Sequence, residues 1–96
     1  MATPAAPTIA FAIRGPIAPA DMRGLCTRVC GLLEGTAGAV MLCDVRGVDP
    51  DAVTVDALAR LQLAAQRQGC RIRLQGASAE LRDLVDFMGL ANVLPC

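Results

Sequence analysis

The sequence has no histidine, no lysine, no tryptophan and no tyrosine, and only two phenylalanines among its 96 residues. Each absence removes a class of chemistry. Without His, the commonest general acid/base and the commonest nitrogen ligand for zinc are missing. With Lys missing as well, proton transfer would fall to carboxylates and a nucleophile would have to be Cys, Ser or Thr. No GxGxxG, Walker loop or GxSxG elbow occurs. The expectation is a protein that is not an enzyme and needs no cofactor or metal. Nine basic residues, all Arg, balance nine acidic ones, and the chain lacks aromatic stacking platforms. Nucleic acid is therefore not an expected partner, since it calls for a basic stripe or stacking rings. No apolar run approaches the roughly 20 residues needed to span a bilayer, so direct membrane insertion is not expected either.

What is present fits one small globular domain. Hydrophobic residues make up 54% of the chain, many of them Ala, so the core must pack through many small contacts. Residues 1–7 are Ala/Pro-rich and lack the basic start and long apolar stretch of a signal peptide. They are read as a disordered tail on a cytoplasmic domain spanning residues 8–96. The five cysteines, Cys26, Cys30, Cys43, Cys70 and Cys96, are odd in number and scattered, unlike a secreted disulfide framework. They read as small buried hydrophobes. Cys26 and Cys30, four apart on one helical face, leave a redox or soft-metal pair as the alternative. The oligomeric state is left open.

Along the chain, Ile9, Phe11 and Ile13 alternate with small or polar residues, the period of a strand over Thr8–Arg14. Pro19 and Asp21 suit a first helical turn, and Met22, Leu25, Cys26, Val29, Leu32 and Leu33 form a stripe running to about Glu34. Ala39–Val45 holds Val40, Met41, Leu42 and Cys43 in succession, as expected of a central parallel strand covered on both faces. Asp49-Pro50-Asp51 leads into a helix from about Val53 to Gln68. Cys70–Gln75 alternates Ile72 and Leu74 with Arg71 and Arg73, so it has one wetter face or lies near an edge. Ser78 caps a last helix ending at Gly89, and Leu90, Val93 and Leu94 form an apolar tail that docks on the body. The fold class is α/β, with βαβαβα order, short loops and a small, mostly parallel sheet.

Asp44, Asp49, Asp51 and Asp56 gather at the end of the middle strand and the start of the next helix, the ligand side of an open α/β sheet. Their simpler role is as loop, cap and first-turn acids. The run Val40-Met-Leu-Cys-Asp-Val-Arg-Gly-Val48 resembles the middle strand of STAS domains, the sulfate-transporter and anti-sigma-factor-antagonist family. Further landmarks are Arg14-Gly-Pro-Ile17, Gly69, Leu74-Gln-Gly-Ala-Ser78 and Met88-Gly-Leu-Ala-Asn-Val-Leu94, so the resemblance runs from Thr8 to Leu94. Counting back from Gly69 puts the family aspartate at Asp51. The residue after it, where antagonists carry a phosphoacceptor Ser or Thr, is Ala52, which cannot be phosphorylated. Thr54 stands where the family has glycine; it is either a displaced phosphoacceptor or the helix N-cap.

The resemblance implies a protein-binding module. Its leading form is an anti-sigma-factor antagonist that binds a serine-kinase-like anti-sigma factor through Val48, Asp49, Asp51, Ala52, Thr54, Asp56 and Arg60. The alternative is the STAS subunit that docks on the ATPase of a lipid-transport ABC complex.

Overall fold

The computed structural model describes residues 8–14, 17–35 and 38–94. Strand β1 (Thr8–Arg14) leads to a 3-10 turn (Pro19–Asp21) and helix α1 (Met22–Leu33). Then follow β2 (Val40–Gly47), α2 (Ala52–Arg67), β3 (Arg71–Gln75) and α3 (Ala79–Phe87). The expected tail, residues 1–7, and the turn residues Gly15 and Pro16 lie outside the described residues, as does Cys96.

The three strands run parallel in the order β1-β2-β3. Their register aligns Ile9 with Met41 and Ile72, and Phe11 with Cys43 and Leu74. Crossovers in a sequential parallel sheet are right-handed, which puts successive helices on one face. Burial follows that geometry. Met41, Cys43, Val45, Ile72 and Leu74 are buried, and they pack with Val29 and Leu33 of α1 and with Val55, Leu58 and Leu61 of α2. Leu81, Val85 and Leu94 extend the same core, so the apolar tail docks as the sequence predicts.

One expectation needs correcting. Among the described residues β2 is covered on one face, not two: Val40 and Leu42 are only half-buried and stand outside the core cluster. A continuous apolar run cannot tell a strand buried on both sides from one whose second face is merely apolar.

Helix ends are fixed by local chemistry. Ser78 Oγ accepts from the Leu81 N–H at 3.1 Å, starting α3 as the sequence predicts. α2 stops when Gly69 takes φ of 74°, so that its N–H reaches the Gln66 carbonyl and the Cys70 N–H reaches Ala65. This pair of bonds is a Schellman motif, and a side chain at that φ would be strained. Gly89 ends α3 in the same way.

Candidate functional site

The N-terminus of α2 is held by Asp51. Its backbone is extended, and its carboxylate accepts from the Thr54 N–H at 2.8 Å, satisfying one of the donors that a helix start leaves unpaired. That N–H is the main cause of an Asp51 pKa below the usual carboxylate value. With the cap set, the first two turns divide by face. Ala52, Val53, Asp56 and Arg60 point outward, while Thr54, Val55, Ala57 and Leu58 turn into the core.

Thr54 is therefore corrected in both of its expected roles. Asp51, not Thr54, caps the helix. Thr54 is 0% exposed, and its Oγ1 is buried without a hydrogen-bond partner, so no kinase reaches it in the folded chain.

Opposite α2 stands the start of α1. The Ala18 N–H donates to the Asp21 carboxylate at 3.1 Å, and the Asp21 N–H donates back to the Ala18 carbonyl at 2.9 Å. This half of a capping box places Pro19 at the first helical position, where its lack of an N–H costs nothing. The turn so fixed presents Ile17, Ala18 and Met22 to α2. Between these residues and Ala52, Val53, Asp56 and Arg60 lies an open cleft of about 380 Å³. Its floor and walls are mostly apolar. Its rim carries one ion pair, Arg60 Nε to Asp56 at 2.8 Å, between exposed partners one helical turn apart. Such a pair contributes only about 0.5 kcal/mol to the helix, leaving both charges accessible to a partner.

Of the seven residues marked in the sequence, the structure brings Ala52, Asp56 and Arg60 together at the cleft. Asp51 is engaged as the cap. Val48 is half-buried against the core, and Asp49 is exposed in the loop, where its carbonyl accepts from the Asp51 N–H at 2.9 Å. Sequence reasoning missed Val53, 45% exposed, and the opposing wall of Ile17, Ala18 and Met22. Met22 had a signal, but it was absorbed into the α1 stripe. Nothing in the sequence says that the two helix starts face each other.

Two of the cysteine thiols, Cys26 and Cys43, are held toward the protonated form. Burial pushes the Cys43 thiol up to about 12, helped by the charge of Asp44. Cys26 is also raised, by burial first and then by Cys30, with Arg60 opposing. Among the described residues no cluster of three His, Cys, Asp or Glu side chains could hold a metal ion. No helix there is long and apolar enough to cross a membrane.

No family model matches the sequence, and no curated protein matches it. Among solved structures, the chain is similar to the crystal structure of a sulfate transporter family protein from Wolinella succinogenes. The TM-score is 0.63 at 25% identity, over 91% of this chain and 70% of that one. The fold is STAS-like. The cleft thus sits in a STAS-like domain at the helix start where the resemblance places the partner surface.

Proposed function

We propose that this STAS-like domain is a non-catalytic, cytoplasmic protein-binding module that receives its partner at the cleft between the α1 and α2 starts. The observation that carries this reading is the exposed pair Ala52–Val53, which forms an apolar wall where the family resemblance expects a phosphorylatable hydroxyl. The leading partner is a kinase-like anti-sigma factor. With Ala52 in place of the hydroxyl, phosphorylation at that site does not switch binding. Asp56 and Arg60 at the rim give orientation and association rate more than affinity.

The second reading is docking on an ABC ATPase; the structural neighbour is named for a sulfate transporter family. One experiment separates the two. The wild type and two variants, Ala52→Asp and Val53→Arg, are used as bait, and captured proteins are identified and titrated by calorimetry. Asp at the first helical position favours the α2 dipole, so the fold is retained while charge enters the wall. A kinase-like protein bound by the wild type and at least about tenfold more weakly by both variants supports the first reading. An ATPase with the same pattern supports the second. Equal binding of the captured protein to all three baits removes the cleft as the partner surface.

A further inference from the structure

The sheet has a second face, opposite the helices, that no described element covers. Strand alternation puts Ala10 and Ala12 of β1 beside Leu42 and Asp44 of β2, with Arg73 and Gln75 of β3 beyond them. The centre of this face is apolar and shallow, because Ala10 and Ala12 are small and Val40 and Leu42 are half-buried outside the core.

Its margins are basic. Arg71 and Arg73 line the β3 side, and Arg14 and Arg46 stand at the far end. Arg46 is paired with Asp44 at 2.7 Å and lies across Gly76, where a side chain would collide with it. Four arginines thus face one aspartate on this surface. The whole chain is neutral, so an equal excess of acid lies elsewhere.

Much of that acid is on α3. Glu80, Asp83 and Asp86 are exposed, against a single basic residue, Arg82. Glu80, Asp83 and Phe87 recur with helical spacing on the side away from buried Leu81 and Val85. Phe87 is 87% exposed although it is one of only two aromatic residues in the chain. An acidic ridge carrying an uncovered ring is therefore built into the same molecule as a basic face with an apolar centre.

We propose that the chain associates with copies of itself head to tail, the α3 ridge of one copy seated on the open sheet face of the next. Like-to-like pairing is disfavoured on both surfaces, since two sheet faces would oppose arginines and two α3 ridges would oppose carboxylates. The unlike pairing satisfies both. It sets Phe87 over Leu42 and Val40 and brings Arg71 and Arg73 within reach of Glu80 and Asp83. Arginine also stacks well on an aromatic ring; within one molecule Arg28 already sits 5.3 Å from the centre of the Phe11 ring. Because the two surfaces differ, the contact does not close on itself as a dimer but extends into rings or open chains. The α2 cleft takes no part in the contact, so this association stands or falls apart from the proposed partner binding.

The test is analytical ultracentrifugation of wild type and two variants, each checked for a native melting transition. Arg71→Glu/Arg73→Glu disables the sheet face, and Asp83→Arg/Phe87→Ala disables the ridge. The wild type is expected to grow beyond its 9.9 kDa monomer with concentration. Near 1 M salt, where screening shortens to about 3 Å, it is expected to shrink again. Each variant alone is expected to weaken association by at least about tenfold. Mixed in equal amounts, the two variants keep one good surface each and should form one-to-one dimers and nothing larger. A wild type that stays monomeric at millimolar concentration overturns the proposal. So does a mixture of folded variants that stays monomeric, or a disabled variant that still dimerises alone.

Discussion

The side chain of Gln62, buried in α2, pairs with both backbone groups of Ile72 in β3. Gln62 Oε1 accepts from the Ile72 N–H and Gln62 Nε2 donates to the Ile72 carbonyl, each at 2.8 Å. The Arg71 N–H is turned toward β2, bonding to Ala39, so Ile72 presents its own groups to the free edge of the sheet. Gln62 thus takes the place of a fourth strand at this position. Its Nε2 also donates to the Val93 carbonyl at 2.7 Å, tying helix, strand edge and C-terminal turn together. An open edge invites pairing with other chains, and at Ile72 that edge is closed by a side chain.

Replacing Gln62 by Leu keeps the volume and removes all three bonds. The Ile72 N–H and C=O and the Val93 carbonyl are then left without their partner inside the protein. Each buried unpaired group costs about 1–3 kcal/mol, so a loss of at least about 3 kcal/mol is expected from urea unfolding. A second symptom should accompany it: the unblocked β3 edge should promote aggregation near the unfolding midpoint. A Leu variant within ~0.5 kcal/mol of wild type would show that the amide is replaceable by packing alone.

Thr54→Val should behave oppositely. The hydroxyl is buried and meets no partner at full hydrogen-bond geometry, so exchanging it for a methyl of the same shape removes a desolvation cost and gives up only its weak support of the Asp51 carboxylate. Stability is expected to be unchanged or to rise by up to ~1 kcal/mol by chemical denaturation. Incubating the folded wild type with a serine/threonine kinase and ATP should add no mass at Thr54. A phosphate mapped there in native conditions would mean that the start of α2 opens readily.

The contrast between these residues shows what the sequence can and cannot disclose. Alternation of Ile72 and Leu74 with arginines disclosed β3 and its wetter face, and Gly69 and Gly89 disclosed where helices stop, because those signals act within a few residues. Ser78 was legible as a cap for the same reason. Gln62 was not, since a polar residue in a helical stretch reads as solvent-facing until the fold brings a strand edge beneath it. The cleft was half legible. Asp51 and Ala52 were found through family spacing, whereas Met22 and Ile17 face them only because the parallel sheet sets two helix starts side by side. Thr54 was misplaced because the sequence offers two capping residues three positions apart and does not say which side chain turns inward.

Acid should destabilise the chain through two carboxylates. Hydrogen bonds from Arg46 lower the Asp44 pKa from 3.8 to about 2, and the Thr54 N–H lowers that of Asp51. A carboxylate whose folded pKa is depressed contributes stability above its unfolded value and loses it as the pH falls through the folded one. The contribution of Asp44 is therefore whole above about 3.8 and disappears toward 2. In NMR titrations Asp44 should ionise near 2, and Arg46→Ala should return it toward 3.8. Thermal melts of Asp44→Asn and Asp51→Asn should depend less on pH across that window than melts of the wild type. The Asp44 effect should shrink with added salt, because the ion pair lies at the surface.

Thiol reactivity gives the remaining check, and it bears on the redox alternative left open by Cys26 and Cys30. A thiol reacts as its thiolate, and with a pKa of about 12 Cys43 is almost wholly protonated at neutral pH. Buried Cys70 is shielded as well. In a Cys96→Ser background, iodoacetamide mapped by mass spectrometry should label Cys43 and Cys70 only as fast as the protein unfolds. Cys26 is half-buried and should react in the native state, but more slowly than a free thiol because its pKa is raised. Arg60 is the one charge that opposes that rise, so Arg60→Ala should slow Cys26 further. Labelling of Cys26 faster than a free thiol, or a Cys26–Cys30 disulfide formed by mild oxidation of the native chain, would restore the redox reading.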